Sequence, residues 1–141
     1  MPRLRTLLLG LALSSCLTTG ALAVDLTIGS STEPAAIDPH FSRSGNSQQI
    51  AAQVFNRLVE PDENLQIQPG LAVSWKNLDE LTWEVKLREG VKFHDGSPFT
   101  AEDVVFSLER ADEIPNSPAP FTANVAPIAS MEIVDPLTIR F

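Results

Sequence analysis

The sequence predicts an α/β fold in which a mixed sheet with short β-hairpins is combined with two amphipathic helices. Three observations carry this: apolar residues at helical spacing over 46–58, strict alternation over 81–88, and a second helical stripe opened by a capping pattern at Thr100. Pro, Gly, Asp and Asn clusters punctuate the chain between them.

The first residues read as a leader. Arg3 and Arg5 precede an apolar run over 7–13 that is too short for a bilayer of roughly 30 Å. With the small-x-small triplet Ala21, Leu22, Ala23 behind it, a secretory signal peptide over residues 1–23 is expected, leaving 24–141 as the mature segment. The alternative is a lipoprotein box over 13–16, in which Cys16 would be acylated. Cys16 is the only cysteine, so cleavage after Ala23 leaves no disulfide framework and no cysteine metal site. Loss of Arg3 and Arg5 moves the formal charge from −8 to about −10, which disfavours nucleic acid and anionic membrane surfaces as partners.

Residues 25–29 alternate polar and apolar and read as a strand ended by Gly29. Pro34 and Asp38-Pro39 keep 31–45 out of helix. Ile50, Ala51, Val54, Phe55 and Leu58 then form the stripe of a helix over 46–58, with Ser44 or Asn46 as cap. A turn over 61–64 leads to a short strand over 65–68. A hairpin of 72–76 and 81–88 follows, with Leu81, Trp83, Val85 and Leu87 on one face and core packing expected for Trp75 and Trp83. After the turn at Asp95-Gly96, Thr100 caps a helix whose buried stripe is Val104, Val105, Leu108 and Ala111, with Glu102 and Asp103 at its positive end. Residues 114–127 read as an extended surface loop, and 131–134 with 137–141 as a last hairpin turned by Asp135-Pro136. Leu137, Ile139 and Phe141 still alternate where the sequence stops, so a fragment with an adhesive, unpaired strand is expected.

The residues offer little to catalysis. His40 and His94-Asp95 lie in separate turns, where local bonding is the expected role, and a zinc site would need three or four converging ligands. Ser30 and Ser31 lack a G-x-S-x-G elbow, and no G-x-x-x-x-G-K loop is present.

The run 87–108, LREGVKFHDGSPFTAEDVVFSL, resembles the signature of the extracytoplasmic solute-binding proteins of family 5, the peptide/nickel receptors of ATP-binding-cassette importers. EPAAIDPH at 33–40, VFNRL at 54–58, PGLAVSW at 69–75 and DPLT at 135–138 agree in order and spacing. The resemblance implies the N-terminal part of a two-lobed periplasmic binding protein of the class II, cluster C type, monomeric when complete and without a cofactor. It implies a peptide or related small solute as ligand and permease subunits as partners, met in the periplasm. Energy would come from a separate ATPase, and the receptor would work by hinge closure on its ligand. It places ligand contacts in Ser42, Arg43, Ser44 and Gly45 and, in the Pro-rich loop over 116–121, at Phe121. Arg43 suits a ligand carboxylate through paired hydrogen bonds, or is a solvated surface arginine; Phe121 contacts ligand or core. Alone, the mature segment is expected to bind no peptide with useful affinity. An exported sensor or chaperone module of the same fold, and an exported hydrolase, are the alternatives.

Overall fold

The computed structural model describes residues 25–29 and 32–141. The expected leader over 1–23, its cleavage site and Cys16 lie outside the described residues. Contacts divide the chain into a unit of residues 1–30 and a unit of residues 31–141. In the first, residues 25–29 carry no strand ladder, and Leu26 and Ile28 are more than four-fifths exposed. The predicted strand is absent there because alternation alone makes no sheet without a paired neighbour.

The second unit runs α1 (Gly45–Val54), β1 (Val59–Pro61), β2 (Ile67–Pro69), β3 (Ala72–Asn77), β4 (Trp83–Leu87), α2 (Ala101–Glu109), a 3-10 turn (Arg110–Asp112), α3 (Thr122–Val125), β5 (Glu132–Asp135) and β6 (Thr138–Arg140). β1 and β2 form a two-stranded ribbon, and the larger sheet has the order β3-β4-β6-β5. The α/β organisation is as expected. Within it every ladder among the described residues is antiparallel, where a mixed sheet would add parallel pairs; three of the four are hairpins, whose short turns reverse the chain.

Local chemistry explains α2. The Asp103 carboxylate accepts from the Thr100 backbone N–H at 2.7 Å and from its hydroxyl at 3.2 Å, so the N3 carboxylate satisfies a helix-entry donor. The Ala101 N–H donates to the Pro136 carbonyl at 2.8 Å, fixing the helix start over the β5–β6 turn. Ala101 and Val104 then pack on Leu87 and Ile139, with Leu58, Val85, Phe99, Leu108, Leu137 and Phe141 around them. That cluster is the core.

Several expectations are corrected. α1 ends at Val54 rather than 58, because Phe55 turns extended after its N–H caps the Ala51 carbonyl. The strand expected over 65–68 lies at Ile67–Pro69; Leu65 has φ +60° in the turn, where Asp62 Oδ1 accepts the Asn64 and Gln66 amides. Trp75 and Trp83 share the face of Val85 but are 37% and 46% exposed, since α2 covers the middle of that face and not its rim. The 114–127 loop contains the one-turn α3. The last strand is no free edge: β6 sits between β4 and β5, leaving β3 and β5 outermost.

The opposite face of the sheet is polar. Register aligns Lys76, Glu84, Arg140 and Glu132 in one row across all four strands. Glu84 pairs with Lys76 at 2.9 Å and with Arg140 at 3.0 Å, and Arg140 reaches Glu132 at 3.6 Å. The Lys76 and Arg140 hydrogen bonds hold the Glu84 carboxyl below the usual glutamate range.

Candidate functional site

The site forms where the loop before α1 meets the end of α2. Asp38-Pro39 starts a tight turn in which the His40 N–H donates to Asp38 Oδ1 at 2.9 Å and the Phe41 N–H to the Asp38 carbonyl at 3.2 Å. The Ser44 N–H then donates to Ser42 Oγ at 3.1 Å, a second side-chain-closed turn. Gln48, in the first half of α1, reaches back with its amide to the Pro39 and Ser42 carbonyls at 3.0 and 2.9 Å. Residues 38–45 thus have their shape imposed by short polar side chains.

Arg110 anchors this loop from the far side of the sequence. Its Nη2 donates to Asp38 Oδ2 at 2.6 Å and its Nη1 to Asp38 Oδ1 at 3.3 Å, and Nη1 lies 3.2 Å from His40 Nδ1. A guanidinium only donates, so this last contact fits a neutral His40 with its proton on Nε2. The His40 ring meets Phe121 edge-on at 6.0 Å, and the Ser117 hydroxyl donates to the Phe41 carbonyl at 2.7 Å. Asn116, at φ +57°, tolerates the left-handed turn just before Ser117.

The charges are mutually set. Hydrogen bonding to Arg110 is the main cause that holds the Asp38 carboxyl below the usual aspartate range, and Asp38 in turn raises Arg110. Burial, helped by Arg110 and opposed by Asp38, pushes His40 below the ordinary histidine value.

Of the residues singled out from sequence, Arg43, Ser44 and Gly45 are exposed on the turn, while Ser42 is buried with its hydroxyl engaged by Ser44. The Ser44 hydroxyl donates to Ser47 Oγ at 3.1 Å. Phe121, distant in sequence, is brought to the same loop through His40. The His40 ring does not bond locally within the Asp-Pro turn but faces Arg110, and it is the Asp38 carboxylate that closes the turn; at Gly96 Asp95 bonds its own turn, accepting the Ser97 N–H and hydroxyl. Asp38, Gln48, Arg110 and Ser117 were not anticipated as site residues. Asp-Pro and Gln48 carry only local turn signals, and nothing in one sequence pairs Arg110 with a carboxylate 72 positions earlier. No group of three or more His, Cys, Asp or Glu is placed to hold a metal among the described residues. An open hollow of about 420 Å³ lies by Lys86, Arg88, Glu89 and Asp135, away from these residues.

Residues 66–141 match the model of the bacterial extracellular solute-binding proteins, family 5 middle region. The oligopeptide-binding protein AppA of Bacillus subtilis is 42% identical over 84 residues, 59% of this chain and 16% of that one. The glutathione-binding protein GsiB of Escherichia coli is 30% identical over 133 residues, 94% of this chain and 26% of its own. Among solved structures, NikZ of Campylobacter jejuni in complex with Ni(L-His) superposes with a TM-score of 0.66 at 35% identity, covering 77% of this chain and 22% of NikZ. The chain therefore spans about a quarter or less of the length of these relatives.

Proposed function

The chain belongs to the bacterial extracellular solute-binding proteins of family 5, and from that premise we propose that it supplies part of the solute-binding component of an ABC importer. The family match over residues 66–141 carries this reading. In it the solute is a peptide or a related small molecule, met in the periplasm after removal of residues 1–23, or on a lipid tether through Cys16. The loaded receptor then docks on membrane permease subunits. Ser42, Arg43, Ser44, Gly45 and Phe121 border the solute, with backbone groups of the turn offering hydrogen bonds and Arg43 meeting a carboxylate. Bidentate pairing of a guanidinium with a carboxylate suits a peptide C-terminus. The named relatives bind or hold solutes, which favours this reading over an exported hydrolase.

Calorimetric titration of the full product of the gene with di-, tri- and oligopeptides and with nickel–histidine tests the proposal. At least one peptide should bind with a dissociation constant in the micromolar range or tighter and be recovered uncleaved. Arg43→Gln should weaken that peptide about tenfold while leaving its C-terminal amide unaffected. Heat of binding from none of the panel, or hydrolysis of the peptide, contradicts it.

A further inference from the structure

Loop 38–45 is held from three elements at once. Gln48 holds it from α1, Ser117 and Phe121 from the Pro-rich loop, and Arg110 from the 3-10 turn. Only the Arg110 hold involves groups that change charge in an accessible pH range. Asp38 and Arg110 side chains are each 31% exposed, so their pair is partly shielded from water. His40 is half-buried beside them.

We infer that Arg110 is a positioning residue for the solute turn, and that Asp38, His40 and Arg110 form a clamp that is closed while His40 is neutral and loosened when His40 is protonated. This rests on the receptor reading for its biological meaning, though not for its physics. Neutral His40 offers Nδ1 as an acceptor to Arg110 at 3.2 Å. Protonation turns that nitrogen into a donor facing a donor and sets a cation against a guanidinium. Among the described residues Asp38 is the one opposing charge acting on His40, and it is already engaged by the two terminal guanidinium nitrogens and by the His40 backbone N–H. Phe121, packed on the ring edge, brings no charge. His40 binds its proton less readily in the fold than in the unfolded chain. The stabilisation it gives is therefore complete above the ordinary histidine value of about 6.5 and is lost as pH falls below it. Asp38 is lowered too, which for a carboxyl favours the charged form, so it stays ionised across about pH 7.5 to 5.0 and His40 is the member of the clamp whose charge changes there. A compartment open to the outside medium would expose the clamp to such changes.

Hydrogen exchange on the full gene product, without solute, tests this. Protection factors for amides 40–45 should fall about tenfold between pH 7.5 and 5.0 in the wild type. They should be insensitive to pH in His40→Gln and low at both values in Arg110→Gln. In the wild-type chain the loss of protection should begin below about 6.5 and level off where the His40 ring signal titrates, a readout that needs no variant. Protection that ignores pH in the wild type, or a loss that levels off at a pH unrelated to the ring's titration, overturns the clamp. Solute affinity followed in the same samples separates the two readings: a pH-responsive turn with no solute bound defeats the receptor proposal, and tight binding with an unresponsive turn defeats the clamp.

Discussion

Replacing Ile139 by alanine should cost about 2–5 kcal/mol of stability, enough to unfold much of a marginal domain at 37 °C. Ile139 is fully buried, and its strand β6 lies inside the sheet between Val85 of β4 and Ile133 of β5. Beneath it pack Ala101 and Val104 of α2 with Leu87. Three methylene-sized groups removed from that point leave a void that the neighbours cannot all close, because three of them, Val85, Leu87 and Ile133, are held in backbone ladders. Ile139→Val, which removes one carbon, should cost only about 0.5–1.5 kcal/mol. Urea denaturation followed by circular dichroism distinguishes them: the midpoints should fall in the order wild type, Val, Ala with slopes unchanged. An alanine variant as stable as the wild type would remove β6 from the core.

Gly70→Ala should be destabilising by about 3 kcal/mol for a different reason, overpacking against backbone. A methyl group on Gly70 would collide with the Arg57 carbonyl oxygen and lie 3.0 Å from that of Leu58. These two carbonyls accept the N–H groups of Gly70, Leu71 and Ala72 at 3.1, 2.9 and 2.8 Å, which fasten the start of β3 to the segment after α1. On its other side the Gly70 carbonyl accepts Nε and Nη2 of Arg88 at 3.1 and 2.9 Å. The backbone cannot shift for the methyl without stretching these bonds. Thermal melting should show a drop of several degrees, and addition of the methyl without effect would mean that the approach is looser than described.

What the sequence made legible was local. Thr100 and Asp103 announce α2 because a capping box is written within four residues. The β3–β4 hairpin is visible because both strands and their turn are contiguous, with Asp79 accepting the Leu81 and Thr82 amides across it. The Asp38-Pro39 turn could be placed for the same reason, whereas the stretch from Arg43 to Gly45 is singled out by the family resemblance alone. Pairings across long separations were not legible. β4 meets β6 more than fifty residues later, so the Lys76, Glu84, Arg140 and Glu132 row, which makes a buried position of Glu84, has no sequence signature. Arg110 reads as the polar end of a helix, and its pairing with Asp38 and His40 exists only after the two loops have been brought together. Trp75 and Trp83 were assigned to the core by alternation, which names a face and not how far a helix extends over it.

The solute-binding role proposed for this chain requires that the 42–45 turn and Phe121 border the solute. Photo-cross-linking settles this on the full gene product, with a diazirine-bearing peptide chosen from the binding panel and the adducts mapped by mass spectrometry. Within this segment, adducts should fall within residues 40–45 and 116–121 and vanish with excess unlabelled peptide. Competable adducts confined to the hollow by Lys86 and Asp135, or none between residues 25 and 141, would contradict it.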